Sequence, residues 1–145
     1  MIKSHISYSE LKIWAQCPFI HKLMYIDKIK GFIGNEYTAF GGAIHSLCEN
    51  AVVGKIDEDE YQEYFQAAFR QELKKINVTK PNLVMEMISQ ADKISPEIVP
   101  ALNGYFGTDF RVVSVEEQLY QNIDEFMPKE INFKGFVDLV LQTAD

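Results

Sequence analysis

Near residue 110 the spacing of the apolar side chains changes, and no other feature constrains the fold as much. Before it, apolar residues recur at helical intervals. Tyr61, Tyr64, Phe65, Ala68, Phe69, Leu73 and Ile76 form one stripe within Asp57 to Ile76. Leu83, Val84, Met87, Ile88, Ala91 and Ile94 form a second after Pro81, and Ile98, Leu102, Tyr105 and Phe106 a third. Ser95-Pro96-Glu97 caps the last of these, and Gly107 stops it. After residue 110 the pattern alternates. Phe110 to Ile123 and Ile131 to Leu141 are rich in Val, Tyr and Phe and read as strands, joined by Asp124–Glu130 with Pro128 in it. Helices followed by an antiparallel pair predict an α/β or α+β domain, helical over 1–109 and entering its sheet over 110–145. Two strands make a poor sheet, and at Thr143-Ala144-Asp145 a turn into a third is expected.

The N-terminal third is helical with interruptions. Ile6-Ser7-Tyr8-Ser9-Glu10-Leu11 puts capping residues ahead of Leu11 and Trp14, a helix start. Cys17-Pro18 breaks that helix, and Pro18 suits the first turn of another carrying Phe19, Leu23, Met24 and Ile26. The plain reading is an amphipathic pair packed on the core, with Cys17 a small buried residue. Lys28 to Tyr37 reads as a loop, and Gly41-Gly42 would allow close backbone approach as the next helix begins. That helix carries Ile44, Leu47, Cys48 and Ala51 at helical spacing and ends near Gly54.

With 145 residues and 47% hydrophobic content the chain amounts to one domain with a real core. No apolar run is long enough to span a membrane, and the N-terminus lacks the apolar region of a signal peptide. Cys17 and Cys48 do not form a disulfide framework, so a cytoplasmic protein is expected. The net charge of −7 argues against a general nucleic-acid binder. The charge is uneven, however: residues 1–34 hold Lys3, Lys12, Lys22, Lys28 and Lys30 against Glu10 and Asp27.

Three polar residues stand out against this apolar background. His45 and Glu49 are four apart, so they are neighbours on one edge of a helix expected to be buried. Asp138 interrupts the apolar strand Phe136-Val137-Asp138-Leu139-Val140. Burying such groups unpaired costs several kcal/mol, about 2–7 for an uncharged polar group and more for a charge, so they need partners or a cation. Gly135 would admit a backbone or ligand close to that strand. Antiparallel pairing would bring Glu116 or Glu117 beside Asp138. One His, one Asp and one or two Glu suit a hard divalent cation such as Mg²⁺ or Mn²⁺. The plain alternative is that Asp138 caps a turn or pairs with Lys134, and that His45 is a satisfied core histidine.

Taken together these residues resemble the RecB-type branch of the PD-(D/E)XK nuclease superfamily, which includes CRISPR-adaptation exonucleases, the AddB nuclease domain and phage exonucleases. Ser7-Tyr8-Ser9-Glu10-Leu11, with Trp14, Cys17-Pro18-Phe19 and His21-Lys22, is similar to that branch's N-terminal segment. Gly41-x-x-x-His45-x-x-x-Glu49, Val115-Glu116 and Gly135-x-x-Asp138 resemble its helix and two strand motifs. The resemblance implies a metal-dependent DNA exonuclease of recombination, repair or phage DNA processing. Asp138 and His45 would be the metal residues, Glu49 would support His45, and Glu116 would complete the catalytic set. Its partners would be single-stranded DNA or DNA ends, with a helicase or recombination protein, and no membrane. The N-terminal lysines, with Trp14 and Tyr25, would line a passage for one DNA strand. The iron–sulfur version of the family is not expected, because only Cys48 follows Cys17. The family's Asp/Glu-x-Lys strand and its Gln-x-x-x-Tyr helix would follow Asp145, so a chain ending there is expected to be catalytically incomplete. A non-catalytic DNA- or protein-binding module with the same fold, or a helical interaction domain, are the rival readings.

Overall fold

The computed structural model describes residues 5–29, 31, 33–123, 125 and 131–143. In chain order they form β1 (His5–Ser7), α1 (Tyr8–Gln16), α2 (Pro18–His21) running into a π turn (Lys22–Ile26), α3 (Glu36–Val52), α4 (Tyr61–Leu73), α5 (Pro81–Ile94), α6 (Ile98–Phe106), β2 (Arg111–Asn122) and β3 (Asn132–Gln142). The fold is mixed α+β, helices preceding the two long strands, as expected. Two compact units divide it: Met1–Phe32 with Glu116–Asp138, and Ile33–Val115 with Leu139–Asp145.

The second unit holds the apolar core. On α3 the fully buried line is Ala39, Ala43, Leu47 and Ala51, one residue per turn. Ile44 and Cys48, expected to centre the stripe, are half-buried at its side. Three of the four central residues are alanine, which leaves room for the bulky face of α4, Tyr61, Phe65 and Phe69. Phe65 and Phe69 stack with ring centres 5.3 Å apart, and the Phe40 ring meets both edge-on at 5.7 and 6.0 Å. Met87, Ala91 and Ile98 close the cluster.

Helix α3 begins earlier than its glycines suggested. Asn35 caps it: its Oδ1 accepts from the Thr38 N–H at 3.1 Å, and the Thr38 hydroxyl oxygen accepts from the Asn35 N–H at 2.9 Å. The chain reaches this cap through Gly34 at φ +110°, where an added Cβ would also meet Thr38 Oγ1 at 3.0 Å and Ile76 Cγ2 at 3.1 Å. Gly41 and Gly42 therefore lie inside the helix and not at its entrance. No atom lies within 4 Å of where a Gly41 Cβ would stand, whereas a Gly42 Cβ would meet the Glu72 side chain at 3.7 Å, an ordinary packing distance. Gly41→Ala should raise stability by about 0.5–1 kcal/mol, because interior helical glycine carries that entropic penalty. The readout is a higher urea midpoint at unchanged slope.

At the first turn of α3, Glu36 is buried, 2% exposed, and grips the segment leading into α5. Its Oε1 accepts from the Thr79 N–H at 2.6 Å, the Lys80 N–H at 2.8 Å and the Thr79 hydroxyl at 3.1 Å. Its own backbone N–H, then those of Thr79 and Lys80, hold the carboxyl at about 2, against an ordinary 4.5. A value lowered by folding stabilises the native state fully above pH 4.5, and the benefit disappears as pH falls toward 2. Acid unfolding in that window should therefore take up about one proton fewer in Glu36→Gln than in the wild type. Urea midpoints collected across the window measure the difference.

In the first unit β1 pairs in parallel with β3, His5 beside Asn132, Ile6 beside Phe133 and Ser7 beside Lys134. The sheet order is β1-β3-β2, so the third strand comes from the N-terminus. Three residues ahead of a strong helix cap carry no strand periodicity, which hid β1 from sequence reasoning. Ser7 ends β1 and caps α1, its Oγ accepting from the Glu10 N–H at 3.3 Å. None of the apolar residues expected to be buried on α1 and α2 is buried. Leu11, Trp14, Phe19 and Ile20 are exposed, and the one buried residue of α1 is Glu10. His21 Nε2 lies 2.9 Å from Glu10 Oε1, and the His21 ring stacks on Tyr25 at 5.2 Å.

The β2–β3 hairpin is irregular at one point. Ile123 N–H donates to the Ile131 carbonyl at 3.1 Å near the turn, and Arg111 Nε donates to Gln142 Oε1 at 2.8 Å at the far end. Between these points β2, Arg111–Asn122, is one residue longer than β3, Asn132–Gln142. Glu116, at φ +51°, is the residue of β2 with left-handed backbone, and the strand departs from regular geometry there. The inward alternation of β2, Val112 and Ser114, slips phase at Val115 directly before it. The connection 124–130 lies, apart from Glu125, outside the described residues.

Candidate active site

The residues singled out from the sequence fall in both units. In the second, α3 presents a polar edge beside its apolar line. His45 Nε2 and Glu49 Oε1 are 2.6 Å apart, their side chains 46% and 25% exposed. The edge is open and not buried as expected, so no desolvation penalty forces these residues to seek a distant partner. One turn of helix already places a carboxylate on the imidazole, which sets the ring's orientation. Next to them, Ser46 Oγ lies 2.9 Å from Tyr64 Oη, and Asn50 Nδ2 donates to the Ser46 carbonyl at 2.8 Å and to Tyr64 Oη at 2.9 Å. This network ties the polar edge of α3 to α4 and stiffens the backbone under His45 and Glu49. Sequence reasoning missed it, although Ser46 and Asn50 are four apart and adjoin the motif.

Cys48 sits between this edge and the core. Burial pushes its thiol above the ordinary 9.0, and the Glu49 charge pushes in the same direction. A thiol kept protonated is a packing residue and no nucleophile. Cys17 is half-buried and free.

In the first unit Asp138 lies on β3 with its side chain in solvent. The expectation of a costly buried carboxylate is therefore corrected: in this strand the burial alternates, and Asp138 falls on an exposed position between Val137 and Leu139. The plain alternative is not found either, because Lys134 Nζ is over the Phe136 ring at 5.1 Å and makes no ion pair with Asp138 among the described residues. Counting from the Ile123–Ile131 bond puts position 116, not 117, across from position 138. Glu116 is also the residue of β2 in left-handed backbone. A Glu held in left-handed conformation costs about 1–2 kcal/mol.

Of the N-terminal lysines, Lys22 is neutralised by Asp27, Nζ to Oδ2 2.6 Å. Lys12 and Lys28 are exposed, and Trp14 is 55% exposed. Lys3 and Lys30 lie outside the described residues.

Helices precede a mixed sheet, with a His–Glu pair on α3 and carboxylates on β2 and β3. A family model for the PD-(D/E)XK nuclease superfamily matches residues 5–145, and the chain belongs to that superfamily. No curated protein and no solved structure matches it. The superfamily is one of nucleases, with DNA as substrate class, and its members generally use divalent metal ions. No helix of the described residues is long and apolar enough to cross a membrane.

Proposed function

We propose that the chain carries His45, Glu49, Glu116 and Asp138 as the part of a RecB-type nuclease site that it contributes to cleaving DNA, by exonucleolytic hydrolysis in recombination, repair or phage DNA processing. The superfamily match carries this reading, because it spans all four motifs, from Ser7 to Gly135-x-x-Asp138. An imidazole with the carboxylates of Asp138 and Glu116 is a donor set suited to Mg²⁺ or Mn²⁺. When bound, such an ion orients the phosphate, lowers the pKa of water and stabilises the departing oxygen. Asp138 would hold it through its carboxylate, and Glu116 would supply a further oxygen. His45 would face the ion or the scissile phosphate. Glu49, already 2.6 Å from the imidazole, fixes which ring nitrogen points outward. A helicase or recombination protein would deliver the strand, in the cytoplasm.

Titration with Mn²⁺, followed by the resonance of the free ion, tests this. The wild type should take up Mn²⁺ saturably, and His45→Ala and Asp138→Ala should each weaken uptake at least tenfold, about the loss seen when a supporting group of a metal site is removed. Equal uptake by all three proteins would overturn the metal assignment and favour a binding module that keeps the nuclease fold.

A further inference from the structure

We propose that a groove between the start of α1 and the start of β3 seats one unstacked nucleotide of single-stranded DNA. His5, Ser7, Tyr8, Ser9, Lys134, Gly135 and Phe136 line it, around a volume of about 440 Å³. All seven lie in the first unit, and the parallel pairing that sets Ser7 beside Lys134 builds the groove on sheet and not on loop. The inference extends the DNA-cleaving reading, which supplies the class of polymer.

Three features select the occupant. The first is charge. In a chain of net charge −7, this lining has a lysine and no carboxylate, so it favours an anion. The second is aromatic surface. Tyr8 is 68% and Phe136 54% exposed, and single exposed rings are ordinary, but two on one groove offer faces on which bases can stack. Lys134 Nζ lies 5.1 Å from the Phe136 ring centre, so a base on that ring would carry its phosphate within reach of the ammonium. The third is access. Nothing lies within 4 Å of where a Gly135 Cβ would stand, and its backbone does not need glycine, so the missing side chain serves to keep the groove open. The Ser7 and Ser9 hydroxyls, 3.0 Å apart, add hydrogen-bonding capacity for phosphate oxygens. A duplex hides its base faces, so the rings select a single strand.

Binding of a fluorescent oligothymidylate, measured by anisotropy in EDTA over a salt series, tests the groove without cleavage. Phe136→Ala and Tyr8→Ala should each weaken binding about tenfold, while Tyr8→Phe keeps wild-type affinity because stacking needs only the ring. Lys134→Gln should lower the slope of log affinity against log salt by about 0.7, one phosphate contact on a single strand. Gly135→Leu should weaken binding by filling the groove, with its thermal midpoint unchanged. Wild-type affinity and slope in all of these variants would overturn the proposal, as would equal affinity for duplex and single strand. The two readings fail separately. Unchanged DNA binding with Mn²⁺ uptake still dependent on Asp138 removes the groove and leaves the nuclease site. DNA binding lost in the groove variants, with Mn²⁺ uptake indifferent to His45 and Asp138, removes the nuclease site and leaves the groove.

Discussion

Replacing Asp138 by Ala is expected to lower the proposed metal-dependent DNA cleavage about a thousandfold or more. A metal ion contributes several kcal/mol of charge stabilisation at a reacting phosphate, and each 1.36 kcal/mol is about a factor of ten in rate. Loss of the proposed ligand should remove most of that contribution. Fold should be unaffected, because the Asp138 side chain is exposed and makes no hydrogen bond or ion pair among the described residues. Glu49→Gln should fall between the extremes, about ten- to a hundredfold, since it orients His45 and does not itself meet the ion. Single-turnover rates at saturating Mn²⁺ separate the two. A variant at Asp138 that cleaves at the wild-type rate would sink the assignment.

Phe65→Ala should be the most damaging substitution in the core, lowering stability by about 3–5 kcal/mol. Phe65 is completely buried, stacked on Phe69 and met edge-on by Phe40. Its loss leaves a hole that the facing alanines of α3 are too short to fill. Because domains of this size are stable by only about 5–15 kcal/mol, the variant would sit close to the unfolding threshold. The urea midpoint should drop sharply with its slope retained. Phe136→Ala is the contrast: half-exposed at the groove, it should change stability by less than about 0.5 kcal/mol. A comparable loss at both positions would mean that the cluster around Phe65 is not the core.

The core helices were legible because their signal is local. Tyr61, Phe65 and Phe69 recur every fourth residue and can be placed on one face without knowing what lies opposite. Gly107 stops α6 at φ +80° and Gly54 follows α3 at φ +67°, as their positions after apolar runs suggested. The start of α3 was misplaced because two glycines looked like punctuation, while the Asn35–Thr38 cap was the true signal. At the site, His45 and Glu49 were readable as neighbours by helical spacing alone. Their exposure was not, since it depends on what other segments leave uncovered.

The same division holds for the carboxylates. Asp138, in an apolar strand, looked buried and is exposed, while Glu10 and Glu36, on helix first turns, are buried without any spacing that marks them. Spacing tells which residues share a face, not which face meets the core. Sequence by itself determined the order of helices and strands, the apolar lines within them, and the motifs of the superfamily, because each rests on contacts a few residues apart. Only the tertiary structure decided the third strand, the left-handed backbone at Glu116, the grip of Glu36 on Thr79 and Lys80, and the groove beside Gly135. These arise from pairings between segments far apart in the chain, whose energies depend on a partner's backbone position that no local pattern encodes.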